Sequence, residues 1–186
     1  SVTALATATS PNGPYTTLLK MASGGRVYYR QSREEVVEFE VVLNGPQGWP
    51  AHDPAAHLGD ETWWVIRCHA FQWLALDPGD WFTDLLPVGQ AVFKGRDCSR
   101  WSARDPFGGP VDVFFDEETG LLAGFEMPNS MDEGKVQVDF REWETVAGVQ
   151  LPSQVVATDR QGDFILDFAN ISVNDVDAAL FEGAAD

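Results

Sequence analysis

Residues 110–156 carry the clearest alternation of apolar and polar positions in the chain. Pro110–Asp116 reads as a strand, Glu117–Gly120 as a tight turn, and Leu121–Met127 as the returning strand. After a polar loop, Lys135–Trp143 alternates again, and Gly148–Val156 follows a short turn. A period of two broken by Gly, Asp and Asn predicts an antiparallel meander. Val111, Val113, Phe115, Val136, Val138 and Phe140 share the apolar phase, whereas Asp112, Asp116, Gln137, Asp139 and Arg141 take the polar one. Such a sheet covers an interior on one side and meets water on the other.

The flanking regions extend this reading. Residues 1–13 are rich in Ser, Thr, Ala, Pro and Gly and are expected to form a flexible leader, with one domain over 14–186. Tyr15–Met21 is read as a short helix ended by Ser23, Gly24 and Gly25; Arg26–Gln31 and Glu34–Leu43 are read as strands. A Pro-rich excursion follows over 46–60. Glu61–Arg67 and Ala70–Leu76, dense in aromatic and β-branched residues, read as strands. Trp81–Leu86 is the candidate amphipathic helix. Ala91–Lys94 and Cys98–Arg104 make a strand pair, Asp163–Val173 is the last long strand, and residues 174–181 cap and turn once. About ten strands with two or three short helices predict a mainly β protein: one curved antiparallel sheet forming an unclosed half-barrel.

Composition narrows the function. Hydrophobic residues make up 44% of the 186, too many for a disordered chain. Twenty-nine acidic against twelve basic residues give a net charge of −17, a field that repels phosphate backbones and argues against nucleic-acid binding. The scarcity of Lys (Lys20, Lys94 and Lys135) fits either a protein kept soluble in high salt or a genome that favours Arg. The chain starts at Ser1, which is read as the product of signal-peptide removal or of trimming, with an extracytoplasmic setting preferred. Cys68 and Cys98 are compatible with a disulfide or with two small buried thiols.

Catalytic motifs are weak. His52, Asp53, His57, Asp60 and Glu61 lie close in sequence, but Pro54 and the i,i+5 spacing of the histidines do not align two ligands on a helix, so a polar loop is preferred to a metal site. His69 is read as a hydrogen-bonded histidine at the core edge. Asp77–Asp80 and Asp159–Asp163 lack the calcium-loop pattern. No nucleophile elbow or phosphate-cradling glycine loop is present. The expectation is therefore a non-enzyme with no cofactor. The informative feature is the aromatic content, seven Trp, twelve Phe and three Tyr, which fills an ordinary core, lines an apolar cavity, or forms rows on an exposed sheet that stack on sugar rings.

From Gly95 to Phe181 the chain resembles the LolA-like lipoprotein-carrier superfamily. The residues that carry the resemblance are Val111-Asp-Val-Phe-Phe-Asp-Glu-Glu-Thr-Gly-Leu-Leu122, Val138-Asp-Phe-Arg-Glu-Trp143, Val146-Ala-Gly-Val-Gln-Leu-Pro152, and Ile171-Ser-Val-Asn174 with Leu180-Phe181. The resemblance implies a half-barrel with short helices as a lid over a cavity for acyl chains. The N-terminal half departs from the family pattern: the helix is short, and Arg26, Arg30 and Arg33 match no family residue, so no functional residue is carried over. The expected ligand-binding set is Phe39, Val41, Trp63, Trp73, Trp81, Phe82, Leu85, Phe93, Trp101, Val113, Phe115, Phe125 and Phe140, with Trp81, Phe82, Leu85 and Leu86 as lid. The expected partner is a lipid or acylated lipoprotein, with a transient membrane or receptor contact, and the chain is expected to act as a monomer. The alternatives are an acidic interaction module with a filled core, or a hydrolase.

Overall fold

The computed structural model describes residues 1–128 and 134–183. Its strands are β1 (Val2–Thr9), β2 (Tyr15–Ala22), β3 (Arg26–Arg33), β4 (Val36–Asn44), β5 (Gln47–Pro50), β6 (Thr83–Phe93), β7 (Arg96–Arg104), β8 (Pro110–Asp116), β9 (Leu122–Pro128), β10 (Lys135–Val146), β11 (Val149–Asp159) and β12 (Gly162–Val173). They form one antiparallel sheet in the order β5-β4-β3-β2-β1-β12-β11-β10-β9-β8-β7-β6. The two end strands, β5 and β6, do not pair with each other, so the barrel stays open. Two helices, α1 (Asp60–Cys68) and α2 (Phe71–Leu76), and a 3₁₀ turn at Pro78–Asp80 connect those end strands. The architecture is the mainly β, unclosed sheet with short helices that the alternation predicts, and the meander from β8 to β11 stands where it was read. Most of the polar loop before Lys135 lies in 129–133, outside the described residues.

Four local expectations are corrected. The segment taken as a leader supplies β1, which pairs with β2 and β12. Its buried positions are Val2, Ala4, Ala6 and Ala8, a small-residue row whose weak hydrophobicity hid the alternation. Tyr15–Met21 is not a helix but β2, with Tyr15, Thr17, Leu19 and Met21 turned inward. Glu61–Arg67 and Ala70–Leu76 are not strands but fall in α1 and α2. The buried positions Trp64, Arg67, Phe71 and Leu74 recur at helical spacing, Asp60 and Glu61 stand in the first turn of α1, and Arg67 stands in its last. Packing on the sheet overrides the strand preference of Trp, Val and Ile there. Trp81–Leu86 is not a helix: Leu85 and Leu86 lie in β6.

The main core lies between the sheet and the helices, with α2 packed on β1 and β11 and α1 on β3. The alanine row of β1 provides a low surface for α2. On the opposite face, Tyr28, Val42 and Trp49 are covered by Phe181 from the 3₁₀ turn Ala178–Phe181. A second outer cluster joins Phe93, Cys98, Phe114 and Ala123. Cys98 and Cys68 are both free thiols, which settles the disulfide alternative. The outer face is also pinned by Asp139, 1% exposed, which pairs with Arg96 and Arg141. Arg96 further donates to the carbonyls of Phe140 and Ala123, each at 2.9 Å, tying β7 to β9 and β10.

The stack of Phe93 on Phe114 (centroids 4.4 Å apart, planes 12° from parallel) sits beside Gly124 of β9. A Cβ at Gly124 would overlap the Val138 carbonyl oxygen and the Phe93 ring. Gly124→Ala is therefore expected to destabilise the protein by about 1–3 kcal/mol, a fall of roughly 3–10 °C in Tm by calorimetry. An unchanged Tm would show that the β9–β10 contact is looser than described.

Candidate functional site

Beneath the helices runs a continuous aromatic surface. Phe82 meets Phe125 edge-on at 5.4 Å, Phe125 lies 6.4 Å from Phe140, and Phe140 lies 6.2 Å from Phe71 of α2 and 6.4 Å from Trp143. Inward-pointing positions of β8, β9 and β10 supply this surface because side chains on one sheet face recur every second residue. The face is dry: Val113, Phe125 and Phe140 are fully buried. Truncating one such ring costs about 3–5 kcal/mol in an ordinary core, so whatever covers this face contributes much of the stability.

Two clefts open at the margins of the helical cover. The larger, of about 530 Å³, lies between α1 and the ends of β2, β3 and β4. Its floor includes Tyr29, Phe39, Val65, Ile66 and Phe164, and its rim includes Ser10, Asn12, Gln31, Arg33 and Glu61. The smaller, of about 260 Å³, is lined by Leu85, Ser99, Trp101 and Phe115. The larger volume falls within the range of small-molecule sites, roughly 300–1,000 Å³.

The expected ligand-binding residues distribute as follows. Phe39 lines the larger cleft, and Leu85, Trp101 and Phe115 line the smaller. Val41, Trp81, Phe82, Val113, Phe125 and Phe140 are brought together in the buried layer. Trp63 and Trp73 belong to the helices, where their indole N–H groups donate to the Gly45 carbonyl (3.0 Å) and to Asp80 Oδ2 (3.3 Å). Phe93 is a correction: it packs on the opposite face, because it pairs with Arg96 across the β6–β7 turn in the outward phase. The lid is corrected as well. Trp81 and Phe82 are buried beside the helices rather than forming one, Leu85 and Leu86 are strand residues, and α1 with α2 covers the face. Tyr29, Val65, Ile66, Phe71 and Phe164 were missed; the helical spacing within 60–76 was the signal for those on α1 and α2.

The cover is imperfectly bonded. Thr17 Oγ1, Arg67 Nε, Gln72 Oε1 and Trp81 Nε1 are buried polar atoms without a hydrogen-bond partner among the described residues. Three of them belong to the segment between β5 and β6, and the fourth faces inward from β2. Four such atoms is an ordinary number for a native chain of this length, at a few per hundred residues; what sets them apart is that they lie on the cover or face it. The Cys68 thiol, at the end of α1, has its pKa pushed up by burial, which disfavours the thiolate. Among the described residues no group of three or more His, Cys, Asp or Glu side chains gathers to hold a metal, and His52 and His57 lie in the irregular connection between β5 and α1.

His69 closes α1 at the larger cleft. Its Nδ1–H donates to the Val65 carbonyl at 2.7 Å, and its ring meets Tyr29 edge-on at 5.3 Å. Burial lowers its pKa below the usual 6.5, against the smaller opposing effect of the Val65 carbonyl. Below pH 6.5 the unfolded chain then binds more protons than the folded one, so stability is lost as pH falls through this window and is unaffected above it. His69→Gln is expected to flatten the decline of Tm between about pH 7 and 5. Parallel profiles for the two proteins would remove His69 from the account.

Comparison with solved structures places this architecture. A LolA superfamily protein from Nitrosomonas europaea superposes with a TM-score of 0.68 at 11% identity, over 97% of this chain and 89% of that one. An outer membrane lipoprotein-sorting protein domain from Vibrio parahaemolyticus gives 0.59 at 8%, over 97% and 88%. A DUF1329 family protein from Desulfovibrio piger gives 0.54 at 15%, over 97% and 88%. No protein-family model matches the sequence, and no curated protein matches it. The likeness spans the N-terminal half, where the sequence resemblance stopped: the chain has the fold of the LolA superfamily.

Proposed function

We propose that the chain is an extracytoplasmic carrier that holds an acyl chain, or the acylated end of a lipoprotein, between its half-barrel and its helices, without catalysing a reaction. The observation that carries this reading is the separate character of the cover. The helices lie across an aromatic face between two sheet edges that do not meet, and their packing leaves Gln72 Oε1 and Thr17 Oγ1 unbonded. A layer held mainly by apolar contact and a few hydrogen bonds, with polar atoms that gain by meeting water, is suited to exchange places with a hydrocarbon chain. The two marginal clefts are where a chain would first meet the face. The fold shared with a lipoprotein-sorting protein domain supports the same reading.

A lipid extract of detergent-free protein, analysed by mass spectrometry beside a mock extract, is expected to contain acyl lipid near stoichiometry. An empty extract together with no uptake of a fluorescent fatty acid would favour an acidic interaction module whose core is simply filled.

The cover itself is tested by tethering. Gln72 reaches from α2 to β11, its Nε2 donating to the Pro152 carbonyl at 3.3 Å. A Gln72→Cys, Pro152→Cys pair, in a Cys68→Ser, Cys98→Ala background and joined by a short bis-thiosulfonate spacer (coupling verified by mass), is expected to lose fatty-acid uptake when linked and to regain it when the spacer is reduced off. Equal uptake in both states would show that the ligand bypasses α2.

A further inference from the structure

The cover contains a buried cation that makes no direct ion pair among the described residues. Arg67, 7% exposed, sends its Nη2 to the Asp80 carbonyl oxygen at 2.6 Å. Its guanidinium carbon lies 4.3 Å from the centre of a Trp81 ring and 5.3 Å from a Trp63 ring. Gly25, in the β2–β3 turn, makes room for it, since a Cβ there would overlap Arg67 Nη1. Arg33, Arg96, Arg100, Arg104, Lys135 and Arg141 are all more exposed, yet each meets an acidic side chain. Arg67, more deeply buried than any of these, forms no salt bridge among the described residues, and the Asp80 carboxylate acts on it only from beyond ion-pair contact.

The Asp80 carbonyl, the two indoles and the Asp80 carboxylate offset part of the desolvation cost of this cation, but its Nε–H is left unmet. A buried cation needs a partner, and an apolar side chain of similar length would fill the space between two indoles with no desolvation penalty. Beside Arg67, Trp81 is 2% exposed and its Nε1–H, a group that can only donate, also lacks a partner among the described residues. Two unmet donors thus stand together, at the point where the cover turns into β6 and next to the aromatic face through Phe82. A guanidinium and an N–H donor suit the oxygens of a carboxylate or phosphate, and burial strengthens such bonds. The hydrocarbon surface continues away from them.

We propose that Arg67 Nε and Trp81 Nε1 bind the anionic head group, carboxylate or phosphate, of a single-chain amphiphile whose tail lies on the aromatic face. This rests on the carrier reading and names its ligand class. It also explains how so acidic a protein accepts an anion: the countercharge is carried inside.

The test is calorimetric titration of detergent-free protein with dodecanoate, dodecyl phosphate and dodecanol, and with acetate and inorganic phosphate as head groups lacking a tail. Dodecanoate, dodecyl phosphate or both are expected to bind about tenfold or more tightly than dodecanol, with acetate and inorganic phosphate far weaker. The preference is expected to vanish in Arg67→Gln and to shrink in Trp81→Phe, which keeps the ring and loses only the N–H. Trp81→Phe guards against the case in which Arg67→Gln fails to fold. Equal affinity for dodecanoate, dodecyl phosphate and dodecanol would overturn the head-group site and leave the carrier intact. Binding of none of them would overturn the carrier as well. A preference unchanged in both variants, or tail-free anions binding as well as the amphiphiles, would also overturn the proposal.

Discussion

The sheet does not close, and most of the molecule follows from that constraint. An antiparallel sheet of twelve strands with an apolar inner face must hide that face from water. A small closed barrel does so with its own side chains. Here the end strands β5 and β6 stay apart, and the chain between them crosses the opening as α1, α2 and a 3₁₀ turn. The connection that topology requires is therefore also the layer that completes the core, and the candidate site is the junction of these two layers.

The same constraint explains the uneven chemistry of the two faces. On the outer face, polar groups are satisfied in dense local networks: Asp139 with Arg96 and Arg141, Arg100 with Asp112 through two hydrogen bonds, and Asp116 with the Thr119 turn. Beneath the cover, satisfaction is incomplete, and the unbonded atoms fall on the cover or facing it. A structure optimised only for stability would place its flaws at random or remove them.

The legible parts of the sequence were those in which one period governed a long run. β8 to β11 show this: Val111, Val113, Val138 and Phe140 alternate with charged neighbours, and their turns carry Gly and Asp. β1 was illegible because Ala4, Ala6 and Ala8 are too small to announce a buried row; they matter because α2 comes close. The helices were misread because Trp63, Trp64, Val65 and Ile66 favour strands locally, and only the packing surface of the sheet makes the helical choice the better one. Of the candidate site, the aromatic layer was visible as a set, whereas two residues stood apart for physical reasons. Phe93 follows the outward phase of β6, and Arg67 gave no sign in sequence of being buried.

The pairing of β1 with β12 sets a limit on how the molecule is assembled. Val2 lies opposite Val173, and Thr3 donates to Asp175, so the first strand shares an edge with the last. Neither half-sheet has its inner neighbour until nearly the whole chain is present, and closing so long a loop slows the search for the native pairing. A chain emerging from a ribosome or a translocation pore would hold the free side of β1 as an open edge until β12 arrives, and for that interval it offers a template for pairing with another chain.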